Sequence, residues 1–382
     1  MQQVTILGGG YAGILAALRL QRKAEVTLIS REATFGERVR FHEMAAGERR
    51  TYPIAAFLRG TGVRFLQAGV TGIDPNAQRL TTTEGMFSYE TLIYALGSST
   101  DRNSVPGVRQ YAYTLDSDHL GRLNTALRQG GSLVICGGGL TGIEAAAEFA
   151  EAFPAINVTL LTRGVVGEGL SEKGRAYLRA VFQRLGITLR EHTGVTRVTA
   201  DEVLTEEGRI GYDHLLWAGA FTVPTLAREA GIAVNERGQV RVDSTLRSIS
   251  HRAIFAVGDS AALDGIRMGC VTAMPMGAHA ASNILRRMGN ERPFRFAYPG
   301  QNISLGRRAG LIQLTRADDT PRERILTGRV AALIKEAVCR FTTAALRVER
   351  RFPGAYQWLR ATLPSAQPEP TEEPTELTWS PV

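Results

Sequence analysis

One structural unit is encoded twice in this chain of 382 residues. Each copy has a short apolar strand, a Gly-Gly-Gly turn closed by a fourth glycine, a helix and a second apolar strand, and the copies span residues 4–29 and 133–161. A strand, a crossover helix and a second strand of these lengths form a βαβ unit with parallel strands. The repetition therefore predicts an α/β fold with two doubly wound domains.

The glycine turns have the spacing of a dinucleotide-binding loop. In such a loop the first glycine allows a tight turn, the second lets the backbone approach a pyrophosphate, and the third lets helix and strand pack closely. A turn without a ligand is the alternative for one copy, and the repetition argues against it for both. The candidate cofactor-binding glycines are Gly8, Gly10 and Gly13 in the first copy and Gly137, Gly139 and Gly142 in the second.

Composition excludes several other classes of protein. Apolar residues make up 44% of the chain, and the formal charge is +8 from 45 cationic and 37 acidic residues. These values are typical of a globular protein and not of a disordered chain or a collagen. Three cysteines without a CxxC pair, and no HExxH motif, predict neither a disulfide scaffold nor a metal site.

The chain shows no pattern of a secretory leader or a spanning helix. Its first residues run directly into an apolar strand, and the longest charge-free run, 268–285, is interrupted by glycine, proline and polar residues. We therefore expect a cytoplasmic protein. The arginine excess fits a coding bias, while contact with an anionic surface or with nucleotide phosphates stays open. No recognition motif points to a nucleic-acid partner.

A further candidate ligand lies at the end of an apolar strand. The segment 253–259 reads Ala-Ile-Phe-Ala-Val-Gly-Asp, so Gly258 and Asp259 stand at its carboxyl end. Ligands of open α/β sheets bind at that edge, which makes Asp259 a candidate cofactor contact. An ordinary helix N-cap is the alternative, and a cap and a ligand contact can coexist.

With these features the chain resembles the flavoproteins with two dinucleotide-binding domains, the pyridine nucleotide-disulfide oxidoreductase superfamily. The resemblance covers residues 1–300 and rests on four motifs in order: Gly8–Gly13, Tyr94–Gly97, Gly137–Gly142 and Ala256–Asp259. It implies two Rossmann-like domains, with FAD on the first loop and NADH or NADPH on the second. We expect the FAD-binding domain at 1–112 and 241–300, the NAD(P)-binding domain at 113–240, a small C-terminal α+β cap at 301–360 and a disordered tail at 361–382.

The resemblance also assigns contacts to single residues. Asp259 would hydrogen-bond the ribityl or pyrophosphate part of FAD. Further positions that the family pattern places at the cofactors are Val70, Ala95, Gly97, Gly219, Gly258, Ala273 and Met274.

The absence of a dithiol narrows the choice within the superfamily. Residues 35–47, where disulfide reductases carry reactive cysteines, contain none, and neither Cys136 nor Cys339 is placed to serve a sulfide:quinone reductase. The chain is most similar to type II NADH dehydrogenases. That similarity implies an FAD-dependent enzyme that passes a hydride from NAD(P)H to flavin and then two electrons to a small quinone-like acceptor.

A departure at the acceptor site keeps other functions open. Type II dehydrogenases carry Ala-Gln-x-x-x-Gln beside the flavin, and here Met274 and Ala278 replace the two glutamines, with His279 next. His279 is a candidate donor to the acceptor, or else a helix histidine satisfied by a backbone carbonyl. The other functions are a soluble tailoring oxidoreductase of a specialised aromatic or quinone-like metabolite, and a flavin-bearing redox-responsive interaction protein.

The ribose-binding acid of the family is missing from both copies. Ser30 and Arg31 follow the second strand of the first copy, and Thr162 and Arg163 follow that of the second. Ser30 can make one hydrogen bond where a carboxylate makes two. An acid in place of Thr162 would repel the 2′-phosphate of NADP. Because this position carries no acid and is followed by Arg163, the sequence permits binding of NADPH. Use of NADH, of NADPH or of both stays open, since Arg163 can also point into solvent.

Two more residues are candidate catalytic groups. In the type II enzymes the Glu at the motif position of Glu144 lies by the nicotinamide, and a first-turn acid that stabilises the helix dipole is the alternative. His42, followed by Glu43, is a candidate to relay the proton that accompanies hydride transfer. A surface salt-bridge cluster that joins Arg38 and Arg40 to Glu37 and Glu43 is the alternative there.

The C-terminal region predicts a hairpin and an amphipathic helix. Residues 301–314 alternate and turn like a hairpin. Residues 328–352 carry arginines and an apolar stripe at helical spacing, Ile334, Val338, Phe341, Ala345, Val348 and Phe352. Such a helix can lie on the anionic inner face of a membrane. Packing on its own domain, or on a second subunit in a homodimer, is the alternative.

Overall fold

The computed structural model describes residues 1–48, 50, 52–116, 118–286 and 289–361. Its first elements are β1 (Gln3–Leu7), α1 (Tyr11–Leu20), β2 (Glu25–Ser30), β3 (Thr34–Phe35), α2 (Phe41–Ala45), β4 (Tyr52–Pro53), α3 (Ile54–Leu58), β5 (Arg64–Gln67), β6 (Val70–Asp74), β7 (Arg79–Thr82), β8 (Gly85–Ser88), β9 (Thr91–Tyr94), β10 (Ser99–Thr100) and α4 (Val108–Tyr111).

The middle of the chain contains α5 (Leu120–Leu127), β11 (Gly131–Cys136), α6 (Leu140–Ala152), β12 (Ile156–Leu161), α7 (Glu172–Arg184), β13 (Thr188–Arg190), β14 (Val195–Val198), β15 (Glu202–Thr205), β16 (Gly208–Gly211), β17 (His214–Trp217), β18 (Phe221–Thr222), α8 (Leu226–Glu229) and β19 (Val240–Arg241). The last elements are β20 (Ile254–Ala256), β21 (Ala261–Ala262), α9 (Cys270–Ile284), β22 (Gln301–Ser304), β23 (Gly310–Thr315), β24 (Pro321–Thr327) and α10 (Gly328–Arg351).

Two parallel sheets carry the repeated unit. The first has the order β20-β9-β1-β2-β5, and the second has the order β13-β12-β11-β17. In each, the strand before the glycine turn lies between the strand that follows the helix and a strand from later in the chain. Residues 4–7 of β1 and 133–136 of β11 are all buried, because strands inside a parallel sheet are covered on both faces. The predicted α/β fold with two Rossmann-like units is confirmed.

The helix after the first glycine turn is buried on every side. All ten residues of α1 are shielded from solvent, and the helix packs on β1, β2, α9 and α10. Small residues allow this close packing: a Cβ at Gly277 of α9 would lie 2.2 Å from the carbonyl oxygen of Ala12. The position of the α1 N-terminus at the sheet edge is therefore fixed by contacts on several elements.

The C-terminal region forms a three-stranded antiparallel sheet followed by one long helix. Strands β22 and β23 pair as the predicted hairpin over 301–314, and α10 covers the predicted helix to within one residue. Strand β24, which pairs with β23, was not predicted, because its sequence PRERILT carries three charges. Ile303 and Leu311 of this sheet pack in the hydrophobic core of the second unit. Ala345 and Leu346 of α10 pack in the hydrophobic core of the first unit.

A buried ion pair holds the end of α10 against α1. Both nitrogens Nε and Nη2 of Arg19 donate to the carboxylate of Glu349, at 2.7 and 3.2 Å, and the Glu349 side chain is 0% exposed. The same carboxylate accepts hydrogen bonds from the backbone N–H groups of Gly354 and Tyr356. Arg19 also donates to the carbonyl of Tyr356. This cluster connects the helix after the first glycine turn to the last turn of α10.

Two expectations about chain organisation are not settled by these elements. The domain boundaries at residues 112, 240 and 300 stay a prediction. The predicted tail, from residue 362 onward, lies outside the described residues. Within the described ranges, no helix is long and apolar enough to cross a membrane.

Candidate active site at the two glycine turns

The first glycine turn has an open side at the N-terminus of α1. A Cβ at Gly13 would lie 1.9 Å from the carbonyl oxygen of Gly8, so this closing position accepts only glycine. At Gly10, in contrast, a Cβ would meet nothing within 4 Å. The backbone at Gly10 is therefore free to approach a ligand, and the first N–H groups of α1 point to the same place.

The second turn repeats this geometry at the N-terminus of α6. A Cβ at Gly142 would lie 1.9 Å from the carbonyl oxygen of Gly137, and one at Gly139 would meet nothing within 4 Å. A Cβ at Gly137 would collide with the carbonyl of Ala218, next to Gly219. The two turns are thus equivalent cradles, and each fits the pyrophosphate of a dinucleotide such as FAD or NAD(P)H.

The residues at the ends of the second strands lie beside the glycine turns, where the family pattern predicts the ribose contacts. Ser30 is buried, and its Oγ lies 2.9 Å from the place of a Cβ at Gly9. Arg31 is exposed and pairs with Glu32 at 3.1 Å. In the second unit Thr162 packs against Gly138 in the same way, and Arg163 is exposed. The structure therefore places all four at the sheet edge beside a glycine turn.

Asp259 joins three segments at the edge of the first sheet. Its Oδ2 accepts a hydrogen bond from Ser98 Oγ at 2.7 Å, and its Oδ1 accepts one from the N–H of Gly269, directly before α9, at 2.7 Å. Gly258 before it has a φ of 69°, which favours glycine. The carboxylate is therefore held at the carboxyl end of β20, as the family pattern implies.

The remaining predicted cofactor positions lie around the first cradle or in its core. The carbonyl of Ala95 is the atom that a Cβ at Gly8 would strike at 2.2 Å, and Gly97 takes a φ of 68° in the turn after β9. Ala273 lies against Gly258, Met274 is buried in the first core, and Val70 begins β6, half-buried.

A buried acid–base cluster joins the second unit to α2 and α10. Oε1 of Glu144 accepts hydrogen bonds from Nζ of Lys335 at 2.8 Å and from the N–H of Ser304 at 3.0 Å. Nδ1 of His42 lies 3.9 Å from Oε2 of Glu144, and Lys335 also donates to the carbonyl of Asn302. Two of the predicted catalytic residues, Glu144 and His42, are thus neighbours.

Burial and the neighbouring charges shift the pKa values of this cluster in opposite directions. Burial alone would raise the pKa of Glu144, but the Lys335 ammonium, together with the hydrogen bonds from Lys335 and the N–H of Ser304, outweighs it, and the pKa of Glu144 is lowered. Burial would lower the pKa of Lys335, yet the Glu144 carboxylate raises it. Burial lowers the pKa of His42. Near neutral pH the cluster therefore holds an ionised Glu144–Lys335 pair beside a neutral imidazole.

The charges around His42 are buried and do not form a surface cluster. Arg40 is 1% exposed and donates to Glu43 and to Glu336 of α10, each at 2.7 Å. Arg38 instead donates to the carbonyl of Ser98. The alternative of a surface salt-bridge cluster is therefore wrong in its location: Arg40 pairs with Glu43 and Glu37, but inside the protein, and Arg38 forms no ion pair with a described residue.

A second buried carboxylate continues the cluster along α6. Arg307 donates to Oε1 of Glu148 at 2.8 Å and lies 3.5 Å from Glu43. Burial raises the pKa of Glu148 to about 7. Its Oε2 and the Nε2 of His42 are buried without a hydrogen-bond partner among the described residues. A chain of titratable groups thus runs from Glu144 to Arg307, whose side chain reaches solvent.

His279 lies in a different environment. Its Nε2 is 2.8 Å from the carbonyl oxygen of Arg292, and its ring packs edge-on against Phe294 and Trp358. Burial lowers its pKa to about 4. These contacts agree with the alternative interpretation of His279, a helix histidine that is hydrogen-bonded to a backbone carbonyl. The structure does not bring His279 close to Glu144 and His42.

Lys335 is the residue of the cluster that sequence reasoning missed. In the sequence it stands only as one charge within the predicted amphipathic helix of residues 328–352. A signal was present: only three of the 45 cationic residues are lysine, and Lys335 lies among arginines. Arginine cannot replace a compact ammonium in a closed site without changing its shape and its number of donors.

Comparisons with known proteins agree with this geometry. The family model described as pyridine nucleotide-disulphide oxidoreductase matches residues 2–283. An NADH dehydrogenase-like protein of Mycobacterium tuberculosis is 29% identical over 322 residues, which cover 75% of this chain and 80% of the relative. A demethylphylloquinone reductase of Synechocystis is 30% identical, covering 68% and 72%. A type II NADH:quinone oxidoreductase of Staphylococcus aureus is 24% identical, covering 88% and 94%.

Solved structures show the same fold. The sulfide:quinone oxidoreductase of Aquifex aeolicus superposes with a TM-score of 0.81 at 20% identity, covering 93% of each chain. The NDH2 of Plasmodium falciparum in complex with NADH superposes with a TM-score of 0.77 at 17% identity, covering 92% of this chain and 99% of that one. Since the family model spans well over half of its residues, the chain belongs to the pyridine nucleotide-disulphide oxidoreductase family.

Proposed function

We propose that this protein is an FAD-dependent NAD(P)H dehydrogenase that reduces a quinone-like acceptor. The observation that carries the proposal is the pair of equivalent glycine cradles, each open only at its second glycine, at the N-termini of α1 and α6. Relatives named NADH:quinone oxidoreductase and demethylphylloquinone reductase support the choice of acceptor.

The chain's own residues bind and orient the two cofactors. The first turn, Ser30 and Asp259 would hold FAD, and the second turn with Thr162 and Arg163 would hold the nicotinamide nucleotide. FAD supplies the chemistry, since flavin accepts a hydride and passes on two electrons. The protein adds position and electrostatics: Glu144 lies one turn into α6, and its charge is balanced by Lys335.

Reduction followed by an acceptor screen tests the function. Under anaerobic conditions, NADH or NADPH should bleach the flavin spectrum rapidly, and a soluble quinone should restore it. Rapid bleaching without reoxidation by any simple quinone would favour the tailoring oxidoreductase. Met274 and Ala278, which replace the two glutamines of the acceptor site and are buried, support that function. Slow bleaching would favour the redox-responsive interaction protein.

The Glu144–Lys335 pair is expected to support proton transfer during turnover. In Lys335→Met the buried Glu144 loses its counter-charge, so the pKa of Glu144 rises and its carboxylate becomes neutral at higher pH. We expect turnover with a quinone to fall about a hundredfold, a usual effect of disabling a general acid–base group. The acidic limb of the pH–rate profile should move to higher pH. Steady-state rates between pH 5 and 9 measure both effects.

Lys173→Met is the matched control for this variant. Lys173 is another of the three lysines, lies exposed on α7 and forms no ion pair with a described residue, so its loss should leave rate and pH profile unchanged. FAD content of both variants reports on folding. An unchanged pH profile in a flavin-loaded Lys335→Met protein would remove Lys335 from the mechanism.

The outer face of α10 is proposed to bind an anionic membrane. Its apolar side chains are exposed, up to 71% at Leu333, and we define the outer stripe as Val330, Leu333, Ile334, Val338, Phe341, Val348 and Phe352. Ala345, the fourth of the six members of the predicted stripe, is buried instead. Arginines 329, 340, 347 and 351 are exposed on the same helix, as in helices that lie in a headgroup layer.

Vesicle binding tests this surface. Leu333→Ser combined with Phe341→Ser removes two exposed side chains, each worth about 1.5–3 kcal/mol when transferred from water. We expect binding to phosphatidylglycerol vesicles to weaken about a hundredfold, while Met86→Ser, an equally exposed apolar site on β8, has no effect. Unchanged vesicle binding, with a change from dimer to monomer in sedimentation, would assign the stripe to a second subunit.

A further inference from the structure

The two copies of the repeated unit differ in charge at the ribose position. In the first copy Arg31 is neutralised by Glu32, whose Oε1 lies 3.1 Å from its Nε. In the second copy Arg163 has the equivalent place after β12 and is exposed, and within the described ranges no carboxylate lies within ion-pair distance of it. A guanidinium that forms no ion pair with a described residue therefore stands beside the nucleotide cradle of α6.

The residue before Arg163 carries no charge. Thr162 is buried, and its Oγ1 lies 2.5 Å from the place of a Cβ at Gly138, so its side chain sits directly under the glycine turn. A carboxylate at this place would bind the 2′-hydroxyl of NAD and repel a 2′-phosphate. A threonine removes that repulsion and keeps a hydroxyl for hydrogen bonding.

A second segment brings further groups to the same edge. The N–H of Thr193 donates to the carbonyl of Thr162 at 2.8 Å, and the N–H of His192 donates to the carbonyl of Gly164 at 3.0 Å. These bonds hold the backbone of residues 192–193 against the residues that follow β12. They place His192, with a φ of 56°, across from Arg163. Gly194 has no side chain, and Nε of Arg163 lies 3.9 Å from the place of its Cβ, so room is left there.

Three carboxylates also lie at this edge. Glu191 is occupied, because it accepts the N–H of Val166 and both of its oxygens bind Nη2 of Arg179. Glu168 and Glu206 approach Gly164 and Gly194, at 3.8 and 3.9 Å from the places of their Cβ atoms. Both are exposed and held by no ion pair to a described residue, so they can turn into solvent when an anion binds.

We infer that Arg163, with His192 and Thr162, forms a site for the 2′-phosphate of NADPH, so that the enzyme prefers NADPH to NADH. This inference rests on the proposed function, since it names the nucleotide that the second cradle takes. A guanidinium binds a phosphate by two parallel charged hydrogen bonds, which a 2′-hydroxyl cannot reproduce.

Calorimetric titration of the FAD-loaded protein with NADP⁺ and NAD⁺ tests the site without turnover. We expect NADP⁺ to bind at least about tenfold more tightly than NAD⁺, the usual effect of a charged hydrogen bond. Arg163→Gln should weaken NADP⁺ binding about tenfold to a hundredfold and leave NAD⁺ binding within about twofold. Adenosine 2′-monophosphate should compete with NADP⁺ in the natural protein and much less in Arg163→Gln.

Arg184→Gln is the matched control, because Arg184 is also exposed and lies at the far end of α7. It should change neither dissociation constant. Equal affinities for NADP⁺ and NAD⁺, or an equal loss of both in Arg163→Gln, would overturn the inference. Rapid flavin reduction by NADH alone would also overturn it and leave the proposed function intact. Reduction by neither nucleotide would mean that the proposed function has failed.

Discussion

Gly10→Val is expected to give a folded protein without FAD, whereas Gly139→Val is expected to give a flavin-loaded protein that NADH and NADPH cannot reduce. Both positions have extended backbone, with φ near −86° and −78°, so valine fits without strain. Neither Cβ would meet another atom of the protein within 4 Å. The added Cβ therefore lies in open space on the side of the turn where a pyrophosphate would fit, and the methyl groups of valine extend from it.

The two substitutions serve as controls for one another. The added side chain excludes the pyrophosphate from its contact with the backbone of the turn, and an overpacking cost of about 1–3 kcal/mol adds to the loss of that contact. The absorbance ratio at 450 and 280 nm measures FAD content, and stopped-flow reduction measures the nucleotide site. Circular dichroism and melting of each apoprotein show whether the fold is kept. Stoichiometric FAD in purified Gly10→Val would show that the first cradle does not hold the flavin.

Arg19→Met is expected to destabilise the protein by about 3–5 kcal/mol, the range found when one partner of a buried ion pair is removed. The substitution leaves the Glu349 carboxylate buried with only the N–H groups of Gly354 and Tyr356 as partners. Urea denaturation of the flavin-loaded protein measures the change. Because Glu349 lies at the end of α10, limited proteolysis should cut near that helix before the rest of the chain.

Arg22→Met is the control for this prediction. Arg22 is exposed on the next turn and only touches the carbonyl of Arg351, at 3.5 Å, so its removal should change the free energy of unfolding by less than about 0.5 kcal/mol. Combining Arg19→Met with Glu349→Met should recover part of the loss, since no charge is then buried unpaired. A free energy of unfolding for Arg19→Met within about 1 kcal/mol of the natural protein would contradict the argument.

Local features of the fold and of the cofactor cradles could be predicted from the sequence. The glycine turns are defined by contacts between residues five positions apart, such as Gly8 and Gly13, so their signature is contained in one short segment. The parallel strands follow from β-branched runs of fixed length on either side of a helix. The same locality explains why the hairpin of 301–314 and the helix after residue 327 were predicted correctly.

Features that depend on distant segments were missed or left open. Lys335 of α10 pairs with Glu144 of α6, and the scarcity of lysine marks Lys335 in the sequence but does not identify its partner. The environment of His279 is set by Arg292 and Phe294, which lie in the segment after α9, and by Trp358, which lies far along the chain. The burial of Arg40 depends on Glu336 of α10. A charge-rich segment is predicted to lie on the surface as long as the element that covers it is not known.

The ion pair at the end of α10 limits how the protein can be shortened for laboratory work. Deleting α10 to remove its exposed apolar face would also remove Glu349 and Lys335. The guanidinium of Arg19, between α1 and α9, would then lack its carboxylate partner, and Glu144 would lack its ammonium partner. Such a deletion would not isolate the role of the surface, because it would change the interior as well. A well-behaved variant for crystallisation should keep the whole helix and replace only the outward side chains by polar ones.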